Sequence, residues 1–155
     1  MRSTVEWLDE YSLSHRHPIN EWLHFLCVPL IVWSLVGLLW CLPVPWRAAL
    51  PYWANWATAA VAAAIAYYTL LSVPLAFGAL SVLAFMLWSV DVYSHLAAVP
   101  LWMPCTAAFI LAWIGQFIGH VVEKKRPSFF KDLQFLLIGP LWLLAKVYRR
   151  IGVAY

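Results

Sequence analysis

Five histidines stand in this chain of 155 residues, and most of its candidate chemistry gathers in two short polar clusters. The first is His15–Arg16–His17–Pro18–Ile19–Asn20, followed by His24; the second is Gln116, Gly119, His120 and Glu123. A helix beginning at Pro18, where a missing N–H costs nothing, would put Asn20 and His24 four residues apart on one face. Gln116, His120 and Glu123 share a helical face in the same way, and Gly119 leaves room for a neighbouring backbone. Imidazoles without a nearby thiolate suit zinc, copper, iron or nickel. Glu123 could join such a set directly, or accept a hydrogen bond from His120 and orient it. The plain alternatives are a boundary residue for each histidine, a helix cap for Asn20, and a topology signal for Lys124–Lys125–Arg126. Asn20 and Gln116 each stand four residues before a histidine, placed to hydrogen-bond an imidazole or touch a bound substrate.

These clusters need elements to position them, and the composition says which kind. Apolar residues make up 65% of the chain and charged residues 11%, against roughly 25% charged in a soluble domain. A spanning helix needs about 20 mostly apolar residues. The runs Phe25–Leu42 and Leu101–Ile118 qualify, and the long run Trp53–Val90 reads as two spans turned near Ser72–Pro74. The expected fold is therefore an all-α polytopic membrane protein with about four transmembrane helices, forming one domain over residues 1–155. Ser3-x-x-Glu6 is a capping-box pattern and opens a short amphipathic helix, expected on the membrane surface with Trp7, Leu8 and Tyr11 on one face and an end near Ser14. The last apolar stretch, Leu133–Leu144, is interrupted by Gly139–Pro140 and reads as an interfacial or re-entrant helix. No cleavable signal peptide is expected. Cys27, Cys41 and Cys105 lack CxxC spacing and read as free thiols.

Four spans put both termini on one side, together with Arg2, Arg16, Lys124, Lys125, Arg126, Lys131, Lys146, Arg149 and Arg150. The other side has only Arg47. Basic residues favour the cytoplasmic face, so both termini are expected there, in a bacterial inner membrane or in the endoplasmic reticulum of a eukaryote. His15, His17, His24 and His120 then fall at the same ends of the spans and can converge. His95 falls across the hydrocarbon, roughly 30 Å away.

His15-x-x-Pro18-x-Asn20-x-x-x-His24, followed by Cys27–Val28–Pro29, resembles the N-terminal signature of the 2-hydroxy fatty acid dioxygenase family. Trp113–Ile114-x-Gln116–Phe117–Ile118–Gly119–His120, then Glu123, Arg126–Pro127–Ser128, Lys131–Asp132–Leu133 and Gly139–Pro140, resembles its second signature. The likeness covers nearly the whole chain. One departure is His17, where the family usually has Asn; another is a segment between His120 and Pro127 one residue shorter than in fungal members. The resemblance implies an Fe(II)-dependent dioxygenase that cleaves the C1–C2 bond of a 2-hydroxy fatty acid, giving carbon dioxide and an acid one carbon shorter. It implies His15, His24 and His120 as iron ligands, leaving three of six positions for substrate and dioxygen. Asn20, Gln116 and Glu123 are the expected catalytic neighbours. No 2-oxoglutarate is expected, because the substrate itself is oxidised. The partners implied are the fatty acid and the lipid membrane, with no nucleic acid.

Two other classes compete. A transporter would need ionisable residues near the midplane, and the span interiors hold almost none. A structural membrane protein would leave the histidines incidental. The topology itself is testable by cysteine labelling at residues 2, 95 and 150, with labelling of 95 expected only from the side opposite the other two. Labelling of all three from one side would break the four-span arrangement.

Overall fold

Ser72 is the shortest joint among the described residues, a single extended residue (φ −161°, ψ 118°) that ends one helix and caps the next. The computed structural model describes residues 3–45, 49–126 and 134–155. These form α1 (Thr4–Ser12), α2 (Pro18–Trp40), α3 (Trp56–Leu71), α4 (Val73–Leu96), α5 (Trp102–Glu123) and α6 (Phe135–Ile151), with no strand among them. Arg2, Arg47, Pro127–Ser128 and Lys131–Asp132–Leu133 lie outside the described residues.

Three helices, α2, α4 and α5, are long and apolar enough to cross a membrane. The fourth expected span, α3, has 16 residues, or about 24 Å of helix against roughly 30 Å of hydrocarbon. It begins at Trp56 rather than Trp53 because the Asn55 side chain caps it, accepting from the backbone N–H of Ala57 and Thr58. The expected turn near Ser72–Pro74 is observed: the Ser72 hydroxyl accepts from Leu75 N–H and Pro74 sits in the first turn of α4. The two helices reverse there. The start of α3 packs with the end of α4 (Ala57 and Val61 with Met86 and Val90), and the end of α3 with the start of α4 (Tyr68 with Leu75 and Ala76).

Helices α2 and α5 run antiparallel at unusually close range. A Cβ on Gly37 would collide with the Cys105 thiol, one on Gly115 would lie 2.6 Å from the Cys27 sulfur, and one on Gly119 would collide with the Asn20 amide. Each helix thus lends a notch to a side chain of the other. Small residues that admit close backbone approach are the usual basis of helix association where lipid removes the hydrophobic drive.

Helices α1 and α6 close one end of this bundle. The capping box of α1 forms as the pattern indicates, Glu6 N–H donating to Ser3 Oγ at 3.2 Å and Ser3 N–H to Glu6 Oε2 at 2.7 Å. Its apolar face is not turned to lipid as expected. Trp7, Leu8 and Tyr11 are buried inside the protein, with Trp7 against Phe135 and Tyr11 against Trp142, both at 5.3 Å between ring centroids. A face of three large apolar residues finds its partner in the similar face of α6, where Phe135, Ile138, Trp142 and Ala145 are buried at helical spacing. The Gly139–Pro140 pair does not interrupt α6, which continues to Ile151. Proline removes one helical hydrogen bond, but buried residues on both sides hold the helix, and a Cβ on Gly139 would lie 2.9 Å from the Tyr11 hydroxyl oxygen. Further ties secure this end: Thr4 Oγ1 to Leu71 O, Tyr68 hydroxyl to Leu137 O at 2.8 Å, and Tyr148 hydroxyl to Pro74 O at 3.1 Å.

The notches are directly testable. Gly115→Ala should destabilise the protein by about 1–3 kcal/mol through overpacking against Cys27. Adding Cys27→Ala should restore a large part of that loss, measured by thermal denaturation in detergent.

Candidate metal centre

Three histidines from three different elements meet beneath α1 and α6. His15 sits in the loop joining α1 to α2, His24 seven residues into α2, and His120 in the last turn of α5. All three are buried, with 3%, 1% and 5% of their surface exposed. Their ring centroids stand 4.2 Å (His15–His24), 5.0 Å (His15–His120) and 5.1 Å (His24–His120) apart. One ligand nitrogen from each lies within 4.8 Å of the other two.

Backbone contacts orient two of the rings. His15 Nδ1–H donates to Tyr11 O at 2.6 Å and His24 Nδ1–H to Asn20 O at 2.9 Å. A carbonyl can only accept, so Nδ1 carries the proton and in the neutral form of each ring Nε2 carries the lone pair; such a contact is typical of metal-ligating histidine. His15 Nε2 and His120 Nδ1 are buried without a hydrogen-bond partner. Burial, with His24 close by, pushes the His15 imidazole down to about 3, so it is neutral at physiological pH and able to ligate. A metal ion would give a partner to buried ring nitrogens that have none in the described structure. The donor set, three buried imidazoles, fits iron as it fits other first-row metals.

The side chains of Glu123 and Asn20 make their hydrogen bonds to the loop and to each other, not to the imidazoles. The Glu123 carboxylate accepts from the backbone N–H of Arg16 (3.1 Å) and His17 (2.7 Å) and from Asn20 Nδ2 (3.2 Å). Asn20 Nδ2 also donates to Ser14 O at 3.2 Å. The residues on both sides of His15 are thereby tied to α2 and α5. Lys125 adds a third tie, donating to Leu13 O at 2.5 Å after α5 ends at Lys124 in the left-handed region (φ 57°). From its place in the run Lys124–Lys125–Arg126, Lys125 reads in the sequence as a topology signal or as a cation for an anionic lipid head or carboxylate.

The structure leaves two histidines outside the group. His17 caps α2, its Nδ1 accepting from Ile19 N–H at 3.2 Å. His95 is exposed in the last turn of α4 at the opposite end of the bundle, with Tyr52 6.3 Å from its ring. Gln116 is buried, its Nε2 has no partner, and it lines a cavity of about 250 Å³ beside His24 and His120. Two aromatic residues complete the centre that the motifs did not single out. Tyr11 stacks on His15 at 4.1 Å and lines the cavity, while Trp142 lies 5.4 Å from the same ring and donates to Ser12 Oγ at 2.8 Å. The signal for Tyr11 was present as a spacing of four residues ahead of His15; Trp142 had none.

A model of the 2-hydroxy-palmitic acid dioxygenase Mpo1-like family matches residues 1–151. The chain belongs to that family. No curated protein and no solved structure matches it. The family match spans both halves of the candidate metal centre, from the His15 loop to the end of α5 and on through α6.

If Glu123 holds the His15 loop, Glu123→Gln should lower metal affinity by roughly 10–100-fold, because the amide loses the charge and turns an N–H toward other donors. Loss should be more severe in His15→Ala. Metal titration of apoprotein would check both, and equal losses would make Glu123 a ligand instead.

Proposed function

We propose that this protein is an Fe(II)-dependent dioxygenase, an integral-membrane oxygenase domain that cleaves the C1–C2 bond of 2-hydroxy fatty acids such as 2-hydroxy-palmitic acid. The observation that carries the reading is three buried imidazoles that converge where His24 and His120 line one end of an apolar cavity, in a chain of this family. The proposed ligands are His15, His24 and His120. When bound, ferrous iron supplies the dioxygen and one-electron chemistry that protein side chains lack.

The balance of the reaction supports the absence of a co-substrate such as 2-oxoglutarate. A 2-hydroxy acid and dioxygen give an acid one carbon shorter, carbon dioxide and water. C2 and C1 together lose four electrons, the number dioxygen accepts in forming these products.

The chain's own residues then orient and enclose. The ties from Glu123, Asn20 and Lys125 hold His15 in place. Gln116 Nε2, unpartnered in the cavity wall, is placed to donate to a carboxylate or hydroxyl oxygen of the substrate. Helices α1 and α6, with Tyr11 and Trp142, shield the centre from water. The described basic residues Arg16, Lys124, Lys125, Arg126, Lys146, Arg149 and Arg150 lie at the histidine end of the bundle, which supports a cytoplasmic position for that end and for both termini.

Anaerobic purification followed by metal quantification and product mass analysis tests the reading. Iron-loaded protein should convert a 2-hydroxy fatty acid to the acid one carbon shorter, and a chelator should abolish this. His15→Ala, His24→Ala and His120→Ala should each lose most bound iron while remaining inserted. Full iron occupancy in all three variants would overturn the ligand assignment.

A further inference from the structure

The cavity beside the histidines extends along α2 and α5 as a longitudinal groove. On α2 its wall runs from His24 through Val28 and Ile31 to Leu35; on α5 it runs back from His120 through Gln116 and Trp113 to Phe109. Both walls use one helical stripe, with positions three or four residues apart. Leu35 is eleven residues after His24, and Phe109 is eleven residues before His120. At 1.5 Å per residue both walls are therefore about 16 Å long. Because the helices are antiparallel, Leu35 and Phe109 stand together at the end remote from the metal centre.

Polarity along the groove is one-sided. The histidines and Gln116 lie at one end, and beyond them the walls on α2 and α5 are aliphatic and aromatic. A ligand that fits has a polar head and an unbranched apolar tail. Carbon–carbon bonds of about 1.5 Å advance a zigzag chain by about 1.25 Å per carbon, so 16 Å takes about 13 carbons beyond those held at the metal centre.

We propose that the α2–α5 groove holds the acyl tail of the substrate and measures its length, with Leu35 and Phe109 as the residues that set the limit. This rests on the fatty-acid reading above for the identity of the tail. Each methylene inside the groove should tighten binding by about fourfold, up to acids of about 15 carbons, and further methylenes should add little. One turn of helix, 5.4 Å, corresponds to about four carbons. Leu35→Trp should therefore shift the break to chains about four carbons shorter, and Ile31→Trp, one turn nearer the histidines, to chains about eight carbons shorter. Ile114, which lies on α5 but not in the groove, is the control, and Ile114→Trp should keep the wild-type profile.

The experiment is displacement of a fluorescent fatty acid from detergent-purified protein by straight-chain saturated acids of 8 to 20 carbons, all lacking the 2-hydroxyl group. Circular dichroism and elution position report folding of each variant, and Phe109→Trp, from the facing wall, replaces any α2 variant that fails to fold. Binding is read without turnover. An inactive protein that shows the graded break would lose the oxygenase reading and keep the groove. An active protein whose break does not move in Leu35→Trp, Ile31→Trp or Phe109→Trp would lose the groove and keep the oxygenase reading. A co-purified phospholipid that no fatty acid displaces would also overturn the proposal.

Discussion

Helices α2 and α5 meet where glycine leaves out a Cβ, and the rest of the molecule is arranged around that approach. Gly119 admits Asn20, Gly115 admits Cys27, and Gly37 admits Cys105. In lipid there is little hydrophobic drive to bring two apolar helices together, so the gain must come from dispersion contacts at short range. The same contact places His24 opposite His120. It also brings Asn20 to the carboxylate of Glu123, 103 residues away in the chain. A bulkier residue at any of the three glycines would push apart the two walls on which the metal centre is built.

The second condition is desolvation. Imidazoles at a helix end facing water would be hydrated and could be protonated at modest acidity. Here α1 and α6 cover them, and the neutral form of His15 is favoured far into acid because burial penalises its charge. The cover is itself held by polar contacts that join distant parts of the chain: Trp142 to Ser12, Tyr68 to Leu137, and an ion pair between Lys146 and Glu21 at 2.6 Å. Lys146 also stands 4.2 Å above the Trp142 ring, so the aromatic roof over the histidines is braced from its outer side. These contacts give a function to C-terminal residues that carry no motif of their own.

The division of labour among the polar residues follows from geometry that helical spacing alone does not contain. Glu123 shares a face with His120, which by spacing could place it at the metal. Its oxygens instead accept N–H groups of Arg16 and His17, donors presented by the tight entry into α2. His17 lies in the same short segment as His15 and His24, yet its ring caps the helix that Pro18 begins. Gln116 differs from both: it is buried in the cavity wall with an amide N–H group that has no partner, the condition in which a ligand contact gains most.

Periodicity and composition alone determined the all-helical membrane architecture, the break at Ser72, the capping box at Ser3–Glu6, the start of α2 at Pro18 and which residues form the apolar face of α1. These are local properties, set by hydropathy, backbone donors and side-chain spacing within a few residues. The same local reading set four histidines, His17 among them, apart from His95 once the spans were laid out, and the two signatures then singled out His15, His24 and His120. Only the tertiary structure decided that α1 faces α6 instead of lipid, that α6 continues through Gly139–Pro140, and that Tyr11, Trp142 and Lys125 belong to the centre. It also decided which neighbour of each histidine touches a ring, which touches the loop and which is left facing the cavity. Each of those outcomes depends on contacts between residues far apart in the chain, and a hydropathy pattern holds no information about which of two apolar faces a third will meet.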